Sequence, residues 1–249
     1  MLDTKGVNVW CAAGKGTFGT AEVVRRIQAV GLHDLVDHRR LILPQLSATG
    51  VAAHEVKRLT GFEVRYGPVL ARDIPAYLAN RLKATPEMRR VRFGWKERLV
   101  LSPFELVGAA KPALATFAII AVADLISHGR PTPGALRGFA PYLAAILTGG
   151  LLAPLLLPWL PFRSFALGGA ALGVVVATAW LWLFPAGLLA GAGLALVMVA
   201  IVSFMTLTFT GSTTFTTLSG VKLETRYAIP ALLSTGGAGV LCSLLAIWV

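Results

Sequence analysis

The sequence predicts a two-part chain. A small α/β domain with a Rossmann-like parallel sheet comes first, and an all-α membrane domain of about five transmembrane helices follows. Three observations carry this expectation. The composition is split: the 249 residues are 55% hydrophobic and only 14% charged, against about 25% charged in an ordinary soluble domain. Residues 1–98 hold 17 Lys/Arg and nine Asp/Glu, whereas 99–249 hold six and three. The C-terminal part contains five apolar runs close to the ~20 residues that a bilayer core requires. The N-terminal part alternates short apolar runs with amphipathic ones, the order that builds a parallel sheet. The expected domains are therefore 1–98 and 99–249, divided near Arg98.

In the polar part, "VNVW" is expected as a short first strand. "TAEVVRRIQAVG" follows as a helix with Thr20 as N-cap and Gly31 as stop. "RLILPQL" is a second strand ended by Pro44, and "GVAAHEVKRLTG" a helix closed by Gly61. "FEVRYGP" is a third strand. "DIPAYLANRLK" is a helix capped by Asp73, with Pro75 in its first turn. Ligands of such sheets lie beyond the carboxyl ends of the strands, which directs attention to residues 10–20 and to "PQLSATG" at 44–50.

The apolar runs cover 99–127, 139–160, 165–184, 187–209 and 227–249. The first carries Glu105, Lys111, Pro112 and Asp124; the second is broken by Pro154 and Pro158. Glycines in these runs suit close helix packing, and Trp159, Trp180, Trp182 and Trp248 lie near run ends, as an aromatic belt would. Asp124 lies near the end of its run, where an acidic side chain reaches the interface. Arg81, Lys83, Arg89, Arg90, Arg92, Lys96 and Arg98 crowd the stretch before the first run, and Arg163, Lys222 and Arg226 mark loops on the same side. Arg130 and Arg137 fall on the other side. By the positive-inside rule the balance predicts a multi-pass protein of the cytoplasmic (inner) membrane, with the N-terminal domain in the cytoplasm and the C-terminus outward. "MLDTKGVNVW" has no signal-peptide pattern. The basic charge fits an anionic lipid surface. It comes with no DNA- or RNA-binding signature, so nucleic acid is not an expected partner.

"NVWCAAGKGTFGT", residues 8–20, holds the chemistry. It is not a Walker A loop: the first glycine would fall at Val9, and Gly16 stands where Ser/Thr should hold magnesium. Cys11 lacks a histidine signature of papain type, although His33, His38 and His54 exist. As a lone thiol it is a buried structural residue or a metal ligand. One soft ligand cannot hold a bare ion, but it can be the axial ligand of a metal already held by a macrocycle. Cys11 and Cys242 lie in different regimes and are not expected to pair. Two thiols also fall short of the roughly four that an iron–sulfur cluster takes.

"NVWCAAGK", Asn8 to Lys15, resembles the signature of the membrane-bound corrinoid proteins of microbial mercury methylation, which are related to the corrinoid-binding domain of corrinoid iron–sulfur proteins. The likeness extends through "GTFGT", "HRRLILPQL", "GVAAHEVKRLTGF", "YGP" and "DIPAYL" and into the five-span tail. The resemblance implies that residues 1–98 form a cytoplasmic corrinoid-binding domain, N-terminally truncated relative to that family, and that the cofactor is a cobalamin-type corrinoid. Cys11 would be the lower axial ligand to cobalt, carried on a capping segment beneath the ring, and the catalytic residue. The implied activity is methyl transfer from a folate-linked C1 donor to Hg(II), giving methylmercury. The implied partners are that methyl-donor system and a small ferredoxin-like electron donor with 4Fe–4S clusters; membrane lipid surrounds the spans.

The candidate cofactor-binding residues are Asn8, Trp10, Cys11, Ala12, Ala13, Gly14, Lys15, Thr17, Gln45, Ser47 and Thr49. Asn8 is an orienting residue or a plain turn residue, and Trp10 covers the ring or packs in the core. Ala12, Ala13 and Gly14 let backbone lie against a flat macrocycle. Lys15 meets a propionamide or phosphate, or solvent. Gln45, Ser47 and Thr49 face the nucleotide tail by loop position. The competing function is a small membrane transporter or scaffold with a cytosolic regulatory domain. Its later spans offer mostly Ser, Thr and Gly, where transport sites usually place ionisable groups.

Overall fold

A computed structural model of the chain describes residues 9–14, 16–213, 216 and 218–248. It separates into two compact units, Met1–Val91 and Arg92–Val249. The division falls ahead of Arg98 because the first membrane helix already starts at Trp95, so Lys96 and Arg98 belong to that helix and not to the polar unit.

The polar unit runs α1 (Val9–Gly14), α2 (Thr20–Ala29), α3 (Leu32–Leu35), β1 (Arg40–Leu43), a 3-10 turn at Gln45–Thr49, α4 (Ala53–Thr60), β2 (Glu63–Tyr66) and α5 (Ile74–Ala79). β1 and β2 pair in parallel, with Arg40 opposite Glu63 and Leu43 opposite Tyr66. Among the described residues the sheet has these two strands, not three. The expected first strand covers 7–10; residues 7 and 8 lie outside the described residues, and Val9 and Trp10 begin α1, which is a correction. A four-residue run is too short for periodicity to separate strand from helix, and α1 also holds two alanines, the strongest helix formers. A second correction concerns Thr20. Gly19 precedes the helix as its N-cap; the Thr20 hydroxyl instead donates to the Gly50 carbonyl (3.3 Å) and accepts from the Ala52 backbone N–H (2.9 Å).

Gly31 and Gly61 end their helices in the left-handed region, at φ +57° and +73°, where glycine alone has no Cβ penalty. α2 buries Val23, Val24 and Ile27 at i, i+1 and i+4, the stripe an amphipathic helix turns inward. With Ala12, Phe18, Leu43, Val51, Val56, Phe62 and Val64 they form one core. The Tyr66 hydroxyl donates to the Val51 carbonyl. Burial pushes that phenol above its ordinary value, against a smaller lowering from the Ala53 backbone. Asp73 precedes α5 as expected, but its side chain makes no cap bond, and the helix stops at Ala79.

The second unit contains five helices long and apolar enough to cross a membrane: Trp95–His128, Gly134–Trp159, Phe165–Leu183, Leu188–Gly211 and Ser219–Leu245. The protein is a multi-pass membrane protein, as the hydropathy of the sequence predicted. The spans are α6 (Trp95–His128), α7 (Gly134–Leu147) with its continuation through a π turn at Thr148–Leu152, α8 (Ala153–Leu156) and a 3-10 turn at Leu157–Trp159, then α9 (Phe165–Leu183), α10 (Leu188–Thr208) and α11 (Leu218–Leu245). α10 is the central helix, packing on both α9 and α11.

Small residues set the helix separations. A Cβ on Gly169 would lie 2.6 Å from Thr206 Oγ1 and 2.8 Å from Ser203 Cα, and one on Gly193 would lie 2.8 Å from the Gly239 carbonyl. The backbones therefore approach more closely than any larger side chain permits. The Ser203 hydroxyl donates across the contact to the Ala166 carbonyl at 2.7 Å. Glu224 of α11 accepts from the Ser164 hydroxyl (2.9 Å) and the Ala166 N–H (2.8 Å), which ties α11 to the start of α9.

Arg98 is buried, with 6% of its surface exposed. Its guanidinium donates to the carbonyls of Leu155 (2.8 Å), Pro154 (3.3 Å) and Gly94 (3.1 Å). The reason is local. Pro158 has no N–H for the carbonyl four residues before it, so the broken end of the second span leaves acceptors that a cation suits. Trp159, Trp182 and Trp248 are exposed, as a belt requires. Trp180 differs: it packs against the α9–α10 core and against Phe184, with ring centroids 4.8 Å apart. At the far end of α6, Asp124 accepts from the Thr132 N–H (2.9 Å) and hydroxyl (2.7 Å), which pins the turn into α7.

Candidate functional site

The site is built from α1 and the 45–49 turn, which pack on one another in the polar unit. α1 is only six residues long. Too short to be stable alone, it is held by its contacts. Its inner face is Ala12 and Ala13, 0% and 5% exposed. The Ala12 carbonyl accepts from the Phe18 N–H (3.1 Å) and the Thr17 hydroxyl (3.2 Å), and the Ala13 carbonyl from the Gly16 N–H (3.2 Å). Against this face lies Gly50. A Cβ there would stand 2.6 Å from the Ala13 carbonyl oxygen and 2.8 Å from the Ala13 Cβ. The cradle under α1 thus exists because residue 50 has no side chain. Thr20 completes it by fixing the backbone at 50–52.

On this frame Cys11 is a half-buried free thiol, and Trp10 is 41% exposed. The Gln45 side-chain oxygen is buried and, among the described residues, has no hydrogen-bond partner. Leaving such an acceptor unpaired costs about 1–3 kcal/mol. Ser47 is fully buried, its hydroxyl donating to the Pro44 carbonyl at 2.7 Å. Thr49 is exposed and donates to the Leu46 carbonyl at 3.4 Å. Thr17 is exposed beside its bond to Ala12. Gly14 ends α1. Asn8 and Lys15 lie outside the described residues.

The structure brings together α1, with Trp10, Cys11, Ala12 and Ala13, and the turn that carries Gln45, Ser47 and Thr49. Two supporting residues were not singled out from the sequence: Gly50, and Thr20 in its bridging role. The glycine that ends "PQLSATG" was the available signal for the first. Cys242 is the other free thiol, in α11 of the membrane unit. Among the described residues no three His, Cys, Asp or Glu side chains converge.

The residues fit a corrinoid in two respects. A half-buried thiol on a short helix suits axial ligation of a metal held by a macrocycle. An orphaned amide oxygen on the adjoining turn suits an N–H donor such as a propionamide. Ala12, Ala13 and Ser47 face inward and support the frame. Comparisons with protein families, with curated proteins and with solved structures find no match to this chain.

Proposed function

We propose that the protein is a membrane-anchored corrinoid methyltransferase that passes a methyl group from a folate-linked donor to Hg(II). The observation that carries this reading is Cys11: a free thiol in "NVWCAAGK", set on a helix that is cradled by Gly50 beside the orphaned Gln45 oxygen. A bound corrinoid supplies a cobalt centre able to exchange a methyl group. Cys11 would hold that group through a thiolate, soft and electron-rich, which metal binding would keep deprotonated; a donor of this kind would favour passing a methyl group to an electrophile such as Hg(II). Trp10, part-exposed next to Cys11 in α1, and Gln45, on the turn that packs against α1, are the further candidates to meet the ring. Ala12, Ala13, Ser47, Thr17 and Gly50 hold the helix at a fixed height, the positioning that a protein adds to a cofactor's own chemistry.

The basic stretch from Arg81 to Arg98 supports a cytoplasmic polar unit in a cytoplasmic membrane. There the methyl donor and a ferredoxin-like reductant with 4Fe–4S clusters are accessible. The test is anaerobic Hg(II) methylation in a host that lacks the pathway, with the chain expressed with and without such a ferredoxin. Methylmercury that needs both proteins, and that disappears in Cys11→Ala, supports the reading. Equal output from Cys11→Ala and wild type refutes it.

A further inference from the structure

The membrane unit contains a groove of about 660 Å³ lined by α6, α7, α10 and α11. Its lining runs from Glu105 to Thr116 on α6, from Val197 to Thr208 on α10 and from Ile229 to Val240 on α11, a step of 11 residues each time. At 1.5 Å per residue the groove is about 16 Å long, close to half of the ~30 Å hydrocarbon core. That is the length of one leaflet. Successive spans alternate in direction, so Glu105, Thr208 and Ile229 share one end. Thr208 is the last residue of α10, and Lys222, Glu224 and Arg226 precede Ile229 on α11, which makes this the polar end of the groove.

Glu105 is half-buried and, among the described residues, has neither an ion pair nor a hydrogen bond. An ionisable group in a span without a partner marks a site by default. A methyl group added at Gly108, one turn along, meets nothing within 4 Å, so the space beside the carboxylate is open. The rest of the lining is mostly apolar, with Thr116, Tyr142 and Thr208 its remaining polar side chains, too few oxygen ligands to replace the water of a small cation. A chain of 16–20 carbons, each roughly the volume of a water, fills about 500–600 Å³, which the groove accommodates. The charge of Glu105 selects the occupant: a carboxylate beside an apolar groove suits an amphiphile with a cationic head.

We propose that this groove is a lipid site. It seats one acyl chain of an aminophospholipid from the adjoining leaflet, with the lipid ammonium against the Glu105 carboxylate.

The test uses the full-length protein in detergent micelles. Palmitoyl-oleoyl phosphatidylethanolamine and the matching phosphatidylglycerol are titrated separately and bound lipid is counted by native mass spectrometry. The wild type is expected to bind one phosphatidylethanolamine about tenfold tighter than phosphatidylglycerol, the scale of one charge-assisted contact. Glu105→Gln removes that preference while chain binding persists. Gly108→Leu, which fills the groove, weakens both lipids; Ala113→Leu serves the same purpose if circular dichroism shows that Gly108→Leu has lost helicity. Equal wild-type affinities, a preference that survives Glu105→Gln, or lipid binding indifferent to the filled groove overturns the proposal. So does a dimer that the filling variant dissolves, because a second copy would then be the occupant.

Discussion

Gly50→Ala isolates the contact on which the candidate site depends. Gly50 has φ −124°, a value any residue adopts, so the substitution carries no backbone penalty. Its cost is steric: the new Cβ would lie 2.6 Å from the Ala13 carbonyl oxygen and 2.9 Å from its carbonyl carbon, both backbone atoms that cannot rotate away. Such overpacking costs about 1–3 kcal/mol. The opposing anchor is small. α1 buries two alanine methyls on this face, worth about 0.8 kcal/mol each. The clash is comparable to that anchor, to which Val9 adds on the same core, and the expected outcome is release of α1, with Ala12 leaving the core and Val23, Val56 and Phe62 staying packed. The assay is the rate of maleimide labelling at Cys11 in a Cys242→Ser background, alongside thermal unfolding of the whole chain. Labelling should rise by about fivefold or more, the ratio that 1 kcal/mol buys in a two-state equilibrium, while the melting transition barely moves. Unchanged labelling would refute the cradle, and so would cooperative loss of the whole polar unit.

Further predictions follow from the same geometry. Arg98→Met removes the donor to the Pro154 and Leu155 carbonyls, at about 1–3 kcal/mol per orphaned acceptor; melting in detergent should fall clearly, and Arg98→Lys should recover only part of the loss. Gly169→Val drives a side chain into Thr206 and Ser203 and should cost at least 1–3 kcal/mol, whereas Gly187→Val, with nothing within 4 Å, should be near neutral in the same melt. Tyr66 has a raised pKa in the folded chain, so its contribution is complete below the ordinary phenol range and lost as pH rises through the folded value; alkaline unfolding should be shallower in Tyr66→Phe. Glu22 is shifted the other way, lowered first by Arg26 and then by Arg25. Its contribution is present above its ordinary value and lost as pH falls through the folded one, which an acid titration of Glu22→Gln should remove.

The five spans were legible because length and apolarity alone decide them; the structure moves most limits by five residues or fewer, but starts the fifth span at Ser219, eight residues before the expected 227, because the charged turn with Lys222, Glu224 and Arg226 is also helical. β1, β2, α2 and α4 were legible from runs bounded by proline and glycine. The failures have particular causes. "VNVW" was too short to carry a period, and the alanines after it tipped the balance to helix. Thr20 has the composition of a cap, but its hydroxyl serves a segment 30 residues away, which no local pattern encodes. Gly50 has ordinary dihedrals, so its importance is visible only once Ala13 is seen against it. Arg98 read as one more cytoplasmic cation; its partners are carbonyls freed by prolines more than 50 residues later. Within the candidate site the sequence pointed to Cys11 and to the 44–50 turn, and the frame that joins them required coordinates.

The proposed bond between the Cys11 sulfur and the cobalt of a bound corrinoid is read from the absorption spectrum of the full chain purified anaerobically with cobalamin, compared with Cys11→Ala. The wild type is expected to show thiolate axial ligation that reverts to a base-off or water-ligated form in the variant. Identical spectra and identical cofactor retention in the two proteins would contradict it.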